Sequence, residues 1–132
     1  MANYKLAFQT MMANEGGYVL HEVKGDTGGQ TYAGIARKFN GNWAGWAILD
    51  RNDLNNTELK PLVESFYQQK YWSTLRAESI TSDLIATTLF DFGVNAGIST
   101  ASKLAQIVIG VPPDGSLSDD DIAKLNQFDE KL

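Results

Sequence analysis

Two carboxylates and one hydroxyl near the start of the sequence are of types that can take part in acid catalysis. Glu15 is followed eleven positions later by Asp26, and Thr31 comes five positions after that. Cleavage of a glycosidic bond requires a carboxylic acid that still holds its proton and, in most such enzymes, a second carboxylate across the sugar. Glu15 and Asp26 are candidates for these two groups, and Asp26 together with Thr31 is a candidate for placing a water or stabilising the positively charged sugar.

Glu15 extends the apolar face of a predicted helix that begins after Asn3 and ends at Gly16-Gly17. The residues that share this face, at steps of four, three and four, are Tyr4, Phe8, Met11 and Glu15. Partial burial and the negative end of the helix dipole both raise the pKa of a carboxyl group, which suits a general acid. The alternative is a glutamate at a fraying helix end, the ordinary interpretation of an isolated glutamate.

A small β-hairpin is predicted from residues 18–23 and 30–32, with Asp26 in its glycine-containing turn. A helix end and a facing hairpin form a cleft, so this turn places Asp26 and Thr31 where a ligand approaches closely. The alternative is that Asp26 is a turn residue and Thr31 an ordinary strand residue.

The chain after Ile35 is predicted to be helical nearly to its end, with helices over 43–49, 57–71, 82–95 and 99–109 and a last one opening at Ser118. The helix over 82–95 is apolar on most sides and is predicted to be central and buried. We expect an α+β fold that is mostly α-helical, in a single domain over 1–132. Residues 1–76 are expected to form the catalytic helix and hairpin region, and residues 77–132 a helical region.

Composition supports one globular domain and excludes several kinds of site. The chain has 132 residues, 43% of them hydrophobic and 20% charged, and no cysteine. Disulfides, thiolate zinc sites and cysteine nucleophiles are therefore excluded. The one histidine, His21, has no evident co-ligands, so neither a metal nor a cofactor is expected. His21 as a second proton carrier and Glu22 as a replacement acid are alternatives, against the simpler expectation of exposed strand residues.

The charge is negative and unevenly distributed. The net charge is −5, with +1 on residues 1–76 and −6 on residues 77–132. An acidic chain gains nothing from counterion release on nucleic acid, so a nucleic-acid function is not expected. The sequence shows no signal peptide and no transmembrane run, so we expect a protein made in the cytoplasm and not inserted in a membrane.

Several short motifs together resemble glycoside hydrolase family 108. In chain order they are Glu15-Gly16-Gly17-Tyr18, Asp26-Thr27-Gly28-Gly29-Gln30-Thr31, Gly34-Ile35, Tyr71-Trp72 and Phe90-Asp91-Phe92-Gly93-Val94-Asn95-Ala96-Gly97. Three further pairs are similar to a peptidoglycan-binding segment that follows in such proteins, shortened here: Ala105-Gln106, Gly110-Val111 and Asp114-Gly115.

The resemblance implies an N-acetylmuramidase that cleaves the β-1,4 bond between N-acetylmuramic acid and N-acetylglucosamine. In that family the glutamate before Gly-Gly is the catalytic acid, and Glu15 occupies its place. By analogy, a lysozyme-like helical body with a small hairpin beside the cleft is implied. The implied partners are peptidoglycan glycan strands, with a holin or a secretion machine for export to the cell wall.

Substrate contacts are predicted outside the hairpin as well. Aromatic residues stack on sugars, although at helical spacing they are more often core. The candidates are Tyr32, Trp43, Trp46, Tyr71 and Trp72, and of these we expect Tyr71 or Trp72 to stack on a sugar. Asp91 and Asn95 share a helix face, and we expect a structural role for Asp91 and substrate contact for Asn95.

Two other functions are open. A lytic transglycosylase needs one acid/base glutamate and leaves an anhydro sugar instead of a reducing end. A catalytically silent wall-binding or secretion-accessory module is favoured by the acidic charge, since attraction to an anionic wall is missing, and by the short C-terminal segment. The presence of Glu15, Asp26 and Thr31 argues against that module.

Overall fold

The computed structural model describes residues 2–22 and 29–128, with the backbone alone for Glu15 and Glu22. The chain divides into two compact units. The sheet unit comprises Met12–Phe66, and the helical unit comprises Met1–Met11 with Tyr67–Leu132. The predicted single domain, with its regions 1–76 and 77–132, stays a prediction. Helices dominate and one small antiparallel sheet is present, which confirms the predicted α+β class.

The first helix, α1, spans Tyr4–Glu15 and has the predicted start and end. The Asn3 side chain accepts a hydrogen bond from the Leu6 amide at 3.3 Å, as an N-cap does. After Glu15 the chain turns through Gly16 at φ 87° and Gly17 at φ 82°. The Gly17 amide donates to the Met12 carbonyl at 3.1 Å, so the glycines satisfy the helix end with left-handed backbone.

The sheet has three strands in the order β1 (Leu20–Glu22), β2 (Gln30–Tyr32) and β3 (Ile35–Ala36). The predicted pairing of the first two strands is confirmed. The third strand corrects the expectation that helical structure follows Ile35. Ala33 at φ 51° and Gly34 at φ 83° form a two-residue turn with positive φ at both positions, which returns the chain antiparallel to β2.

The remaining helices follow the predicted order. They are α2 (Gly45–Asp50), α3 (Leu59–Tyr67), α4 (Asp83–Ala96), α5 (Ile98–Ile109) and α6 (Asp119–Asn126). A π-helical segment, Gln68–Trp72, continues α3, and a short 3₁₀ helix spans Ala77–Ser79. The α6 start is a capping box between Ser118 and Asp121, which fits the predicted acidic opening turn. No helix in the described ranges combines the length and apolar character needed to span a membrane.

Each unit has its own buried residues. Tyr32, Ile35, Trp46 and Val63 are among those of the sheet unit. In the helical unit an aromatic cluster forms the centre; its members are Tyr4, Phe8, Tyr67, Trp72 and Phe90.

Burial of α4 is only partial, although the helix was expected to be central and buried. Phe90 is fully buried, whereas Leu84 is 57% and Phe92 37% exposed. These two residues line an open apolar groove, described below, so the second apolar face of α4 is not covered by the described part of the chain.

Candidate active site

Glu15 is the last residue of α1, directly before the two left-handed glycines. Its backbone therefore lies at the negative end of the helix dipole, as the sequence predicted. Its side chain is outside the described part of the structure, as is the whole of Asp26, which belongs to residues 23–28. The carboxylate pair predicted from these two residues stays a prediction.

Thr31 is the central residue of β2 and is half-buried. It pairs with His21 on β1 and with Ala36 on β3. Neighbouring residues on a strand point to opposite faces, so Tyr32 and Thr31 face opposite sides of the sheet. Tyr32 is 4% exposed, with its ring 6.2 Å from the ring of Trp43, so its face is the core face. Thr31 consequently occupies the outer face together with His21.

Tyr18, Lys60 and Glu64 form a polar cluster that sequence reasoning missed. Burial raises the pKa of the Tyr18 hydroxyl, and the negative charge of Glu64 and the nearby Tyr32 raise it further. The Lys60 ammonium lies 5.2 Å from the centre of the Tyr18 ring. Lys60 and Glu64 are one turn apart on α3, a spacing that is visible in the sequence but does not indicate that both lie near Tyr18.

Arg37 holds the backbone next to Thr31. Its amide donates to the Gln30 carbonyl at 2.9 Å, and its guanidinium donates to the Gln30 side chain at 2.6 Å. The same guanidinium forms two hydrogen bonds with Asp50, at 2.7 and 2.9 Å. Hydrogen bonding from Arg37 keeps the pKa of Asp50 below its ordinary value. The Arg37 guanidinium thus connects Gln30 at the start of β2 with Asp50 at the end of α2, and these bonds hold the backbone next to Thr31 in place.

The three predicted substrate-contact residues belong to the helical unit, whereas Glu15 and Thr31 belong to the sheet unit. Trp72 is 2% exposed and packs against Tyr4 and Phe90, with ring centres 5.2 and 5.6 Å apart. A ring that stacks on a sugar must have one face accessible to the sugar. The burial of Trp72 therefore favours a role in the core.

Tyr71 and Asn95 are more accessible than Trp72. Tyr71 is half-buried and stacks on Tyr67 with ring centres 5.7 Å apart. Asn95 is exposed, and its side chain donates to the Asp91 carbonyl one turn earlier at 2.9 Å. Tyr71 is therefore the remaining aromatic candidate, and the predicted sugar contact of Asn95 stays a prediction.

The motif residues after α4 organise the chain locally. Gln106 is fully buried, and its amide nitrogen lies 2.7 Å from Asp114 Oδ1, 3.0 Å from the Ser116 carbonyl and 3.0 Å from Asp121 Oδ2. Its oxygen accepts from the Gly115 amide at 3.0 Å. Gln106 thus joins α5 to the turn before α6.

The apolar groove in the helical unit does not carry acid chemistry. Its volume is about 430 Å³. Its lining consists of Leu84, Ile85, Thr88, Leu89, Phe92, Ala101, Leu104, Ala105, Val108, Leu125 and Phe128. None of these side chains titrates, so the groove offers no general acid or base. Within residues 2–22 and 29–128, no cluster of three or more acidic or histidine side chains is arranged to hold a metal ion.

Comparison with known proteins identifies relatives over most of the chain. The profile of the family described as Glycosyl hydrolase 108 matches residues 8–97, a range that includes all the predicted site residues. The structure of Brucella abortus SagA is similar to the chain at 25% sequence identity with a TM-score of 0.67. That similarity covers 96% of this chain and 70% of that one. A search of curated proteins found no match.

Proposed function

The chain belongs to glycosyl hydrolase family 108, and from this membership we propose that it is an N-acetylmuramidase. The family assignment makes it a glycoside hydrolase of the peptidoglycan-cleaving kind. The finer proposal is that it cleaves the β-1,4 bond between N-acetylmuramic acid and N-acetylglucosamine, with Glu15 as the general acid.

One observation carries the proposal: Glu15 is the last residue of α1, directly before the left-handed Gly16-Gly17 turn, and it belongs to the same unit as Thr31. The negative helix end disfavours ionisation of a carboxyl group, so it helps Glu15 to retain the proton that the leaving oxygen needs. Asp26 is proposed as the second carboxylate, with Thr31 holding the attacking water. We expect inversion, for which the two carboxyl groups stand ~6.5 to 9.5 Å apart.

The proposal places the enzyme at the bacterial cell wall, with a holin or a secretion machine as the route of export. Peptidoglycan glycan strands are its substrate. The net charge of −5 does not attract an anionic polymer, so recognition is expected to depend on hydrogen bonds and aromatic contacts.

The test is the Glu15→Gln variant assayed by loss of turbidity of purified peptidoglycan. Glutamine keeps the shape of the side chain and cannot deliver a proton, so we expect a loss of at least ~10²-fold, in line with a general-acid contribution. The matched control is Glu58→Gln, an exposed residue of the same unit, which is expected to retain wild-type activity. Retention of more than roughly a tenth of the activity by Glu15→Gln would contradict the role of Glu15.

A further inference from the structure

We propose that His21 and Thr31 form one binding site, on the outer face of the sheet, for a hydroxyl group of the glycan strand or of the attacking water. This inference rests on the proposed muramidase function and adds His21 to the residues that act in it.

Strand register brings the two side chains together. His21 on β1 is the direct partner of Thr31 on β2. Directly opposed residues of an antiparallel pair point to the same face, with their Cβ atoms ~4.5 to 5.5 Å apart. On the other side of Thr31 the partner is Ala36, whose methyl group offers no hydrogen bond. His21 is therefore the polar cross-strand neighbour of Thr31.

The pair lies on the accessible face of the sheet. Leu20, Tyr32 and Ile35 alternate to the other face, where Tyr32 and Ile35 are 4% and 1% exposed. His21 is exposed and Thr31 is half-buried. A polymeric substrate reaches only surface groups, so this face of the sheet suits it and the opposite face does not.

The chemistry of the pair matches a hydroxyl ligand. An imidazole presents two ring nitrogens, and a threonine hydroxyl both donates and accepts hydrogen bonds. With their Cβ atoms ~5 Å apart on one face, the two side chains can reach the same ligand oxygen. Among residues 2–22 and 29–128, no side chain forms a hydrogen bond or ion pair with His21 or Thr31.

The kinetic test uses His21→Ala, Thr31→Val and the double variant of the full chain, with soluble glycan strands as substrate. Each single change is expected to lower kcat/KM about three- to tenfold, the effect of one lost hydrogen bond. The double variant is expected to lose less than the product of the two losses, because the side chains act on one ligand. A loss in kcat identifies the water as ligand, and a rise in KM identifies a sugar hydroxyl.

Two substitutions at His21 separate ligand binding from packing. His21→Gln keeps a donor and an acceptor and is expected to recover part of the activity, whereas His21→Phe fills the space and is not. Lys38→Ala, at an exposed position of the same unit, is the control. Wild-type kcat/KM in His21→Ala, or losses in the double variant that multiply, would overturn the proposal.

A second readout does not depend on turnover. His21 is the one histidine of the chain, so its imidazole NMR signals need no assignment. In the Glu15→Gln background, these signals are expected to shift on saturation with glycan strands, with binding followed separately by tryptophan fluorescence. Unshifted signals at saturation would overturn the His21 proposal even where Glu15→Gln is inactive. An active Glu15→Gln with shifted His21 signals would instead overturn the role of Glu15.

Discussion

Replacement of Gln106 by leucine is expected to destabilise the helical unit, because one buried amide connects three segments. Leucine has a similar size and cannot form the hydrogen bonds to Gly115, Ser116 and Asp121. Asp121 is 8% exposed and still accepts a hydrogen bond from the Ser118 amide at 3.1 Å. Its carboxylate therefore loses one hydrogen-bond donor and keeps another.

The magnitude follows from the number and kind of bonds lost. A hydrogen bond to a charged group contributes about 1.5 to 3 kcal/mol and one to a neutral backbone group about 0.5 to 1.5 kcal/mol. Loss of the bond to Asp114 contributes little, because the Asp114 carboxylate is exposed and water replaces the Gln106 amide as its partner. One charged bond and two backbone bonds, less the favourable burial of leucine, give a loss of about 3 kcal/mol. For a chain of this size that corresponds to a fall in Tm of roughly 10 °C.

The assay is urea unfolding followed by circular dichroism, with Gln9→Leu as control. Gln9 is an exposed residue of α1, where the same chemical change is expected to alter the free energy of unfolding by less than about 0.5 kcal/mol. A Gln106→Leu effect below about 1 kcal/mol would show that water replaces the amide without cost and would refute the reasoning.

The pH dependence provides a second check on the same residue. Hydrogen bonds lower the pKa of Asp114 and of Asp121 below their ordinary values. The hydrogen bond from Gln106 has the largest effect on each, and a backbone amide has the next largest. A lowered folded-state pKa contributes stability above the unfolded-state pKa, and this stability is lost as the pH falls through the folded-state pKa. The stability difference between wild type and Gln106→Leu should therefore be largest near neutral pH and shrink below about pH 4. A difference that is constant with pH would assign the effect to packing.

Two further variants test the remaining site predictions. Trp72→Ala is expected to lower the free energy of unfolding by about 3 to 5 kcal/mol, because it opens a cavity between Tyr4 and Phe90; a stable variant with a raised KM would restore the sugar-stacking role. Asp26→Asn is expected to keep the fold and lose most hydrolysis, measured by turbidity and by mass spectrometry of the products. Near wild-type cleavage would reject the two-carboxylate mechanism, and anhydro ends would identify a lytic transglycosylase.

Features decided by neighbouring residues were predictable from the sequence. The helix that ends at Glu15 was correct because its N-cap, its apolar spacing and its terminating glycines all lie within the segment itself. The acidic start of α6 at Ser118 was predictable for the same reason, because its capping residues lie within the segment itself. The family motifs around Glu15 were also sufficient to indicate the family that the profile match shows.

Features that depend on distant partners were decided only by the tertiary structure. The turn at Ala33-Gly34 requires positive φ from an alanine, which no local preference indicates, so β3 was missed. Tyr71 and Trp72 are adjacent in sequence, and only packing against Tyr4 and Phe90 shows which ring is buried. The pairing of His21 with Thr31 likewise depends on strand register, and a shift of one residue would turn one of them to the opposite face. Local hydrogen bonds and periodicity are encoded within one segment, whereas register and burial arise only when separate segments meet.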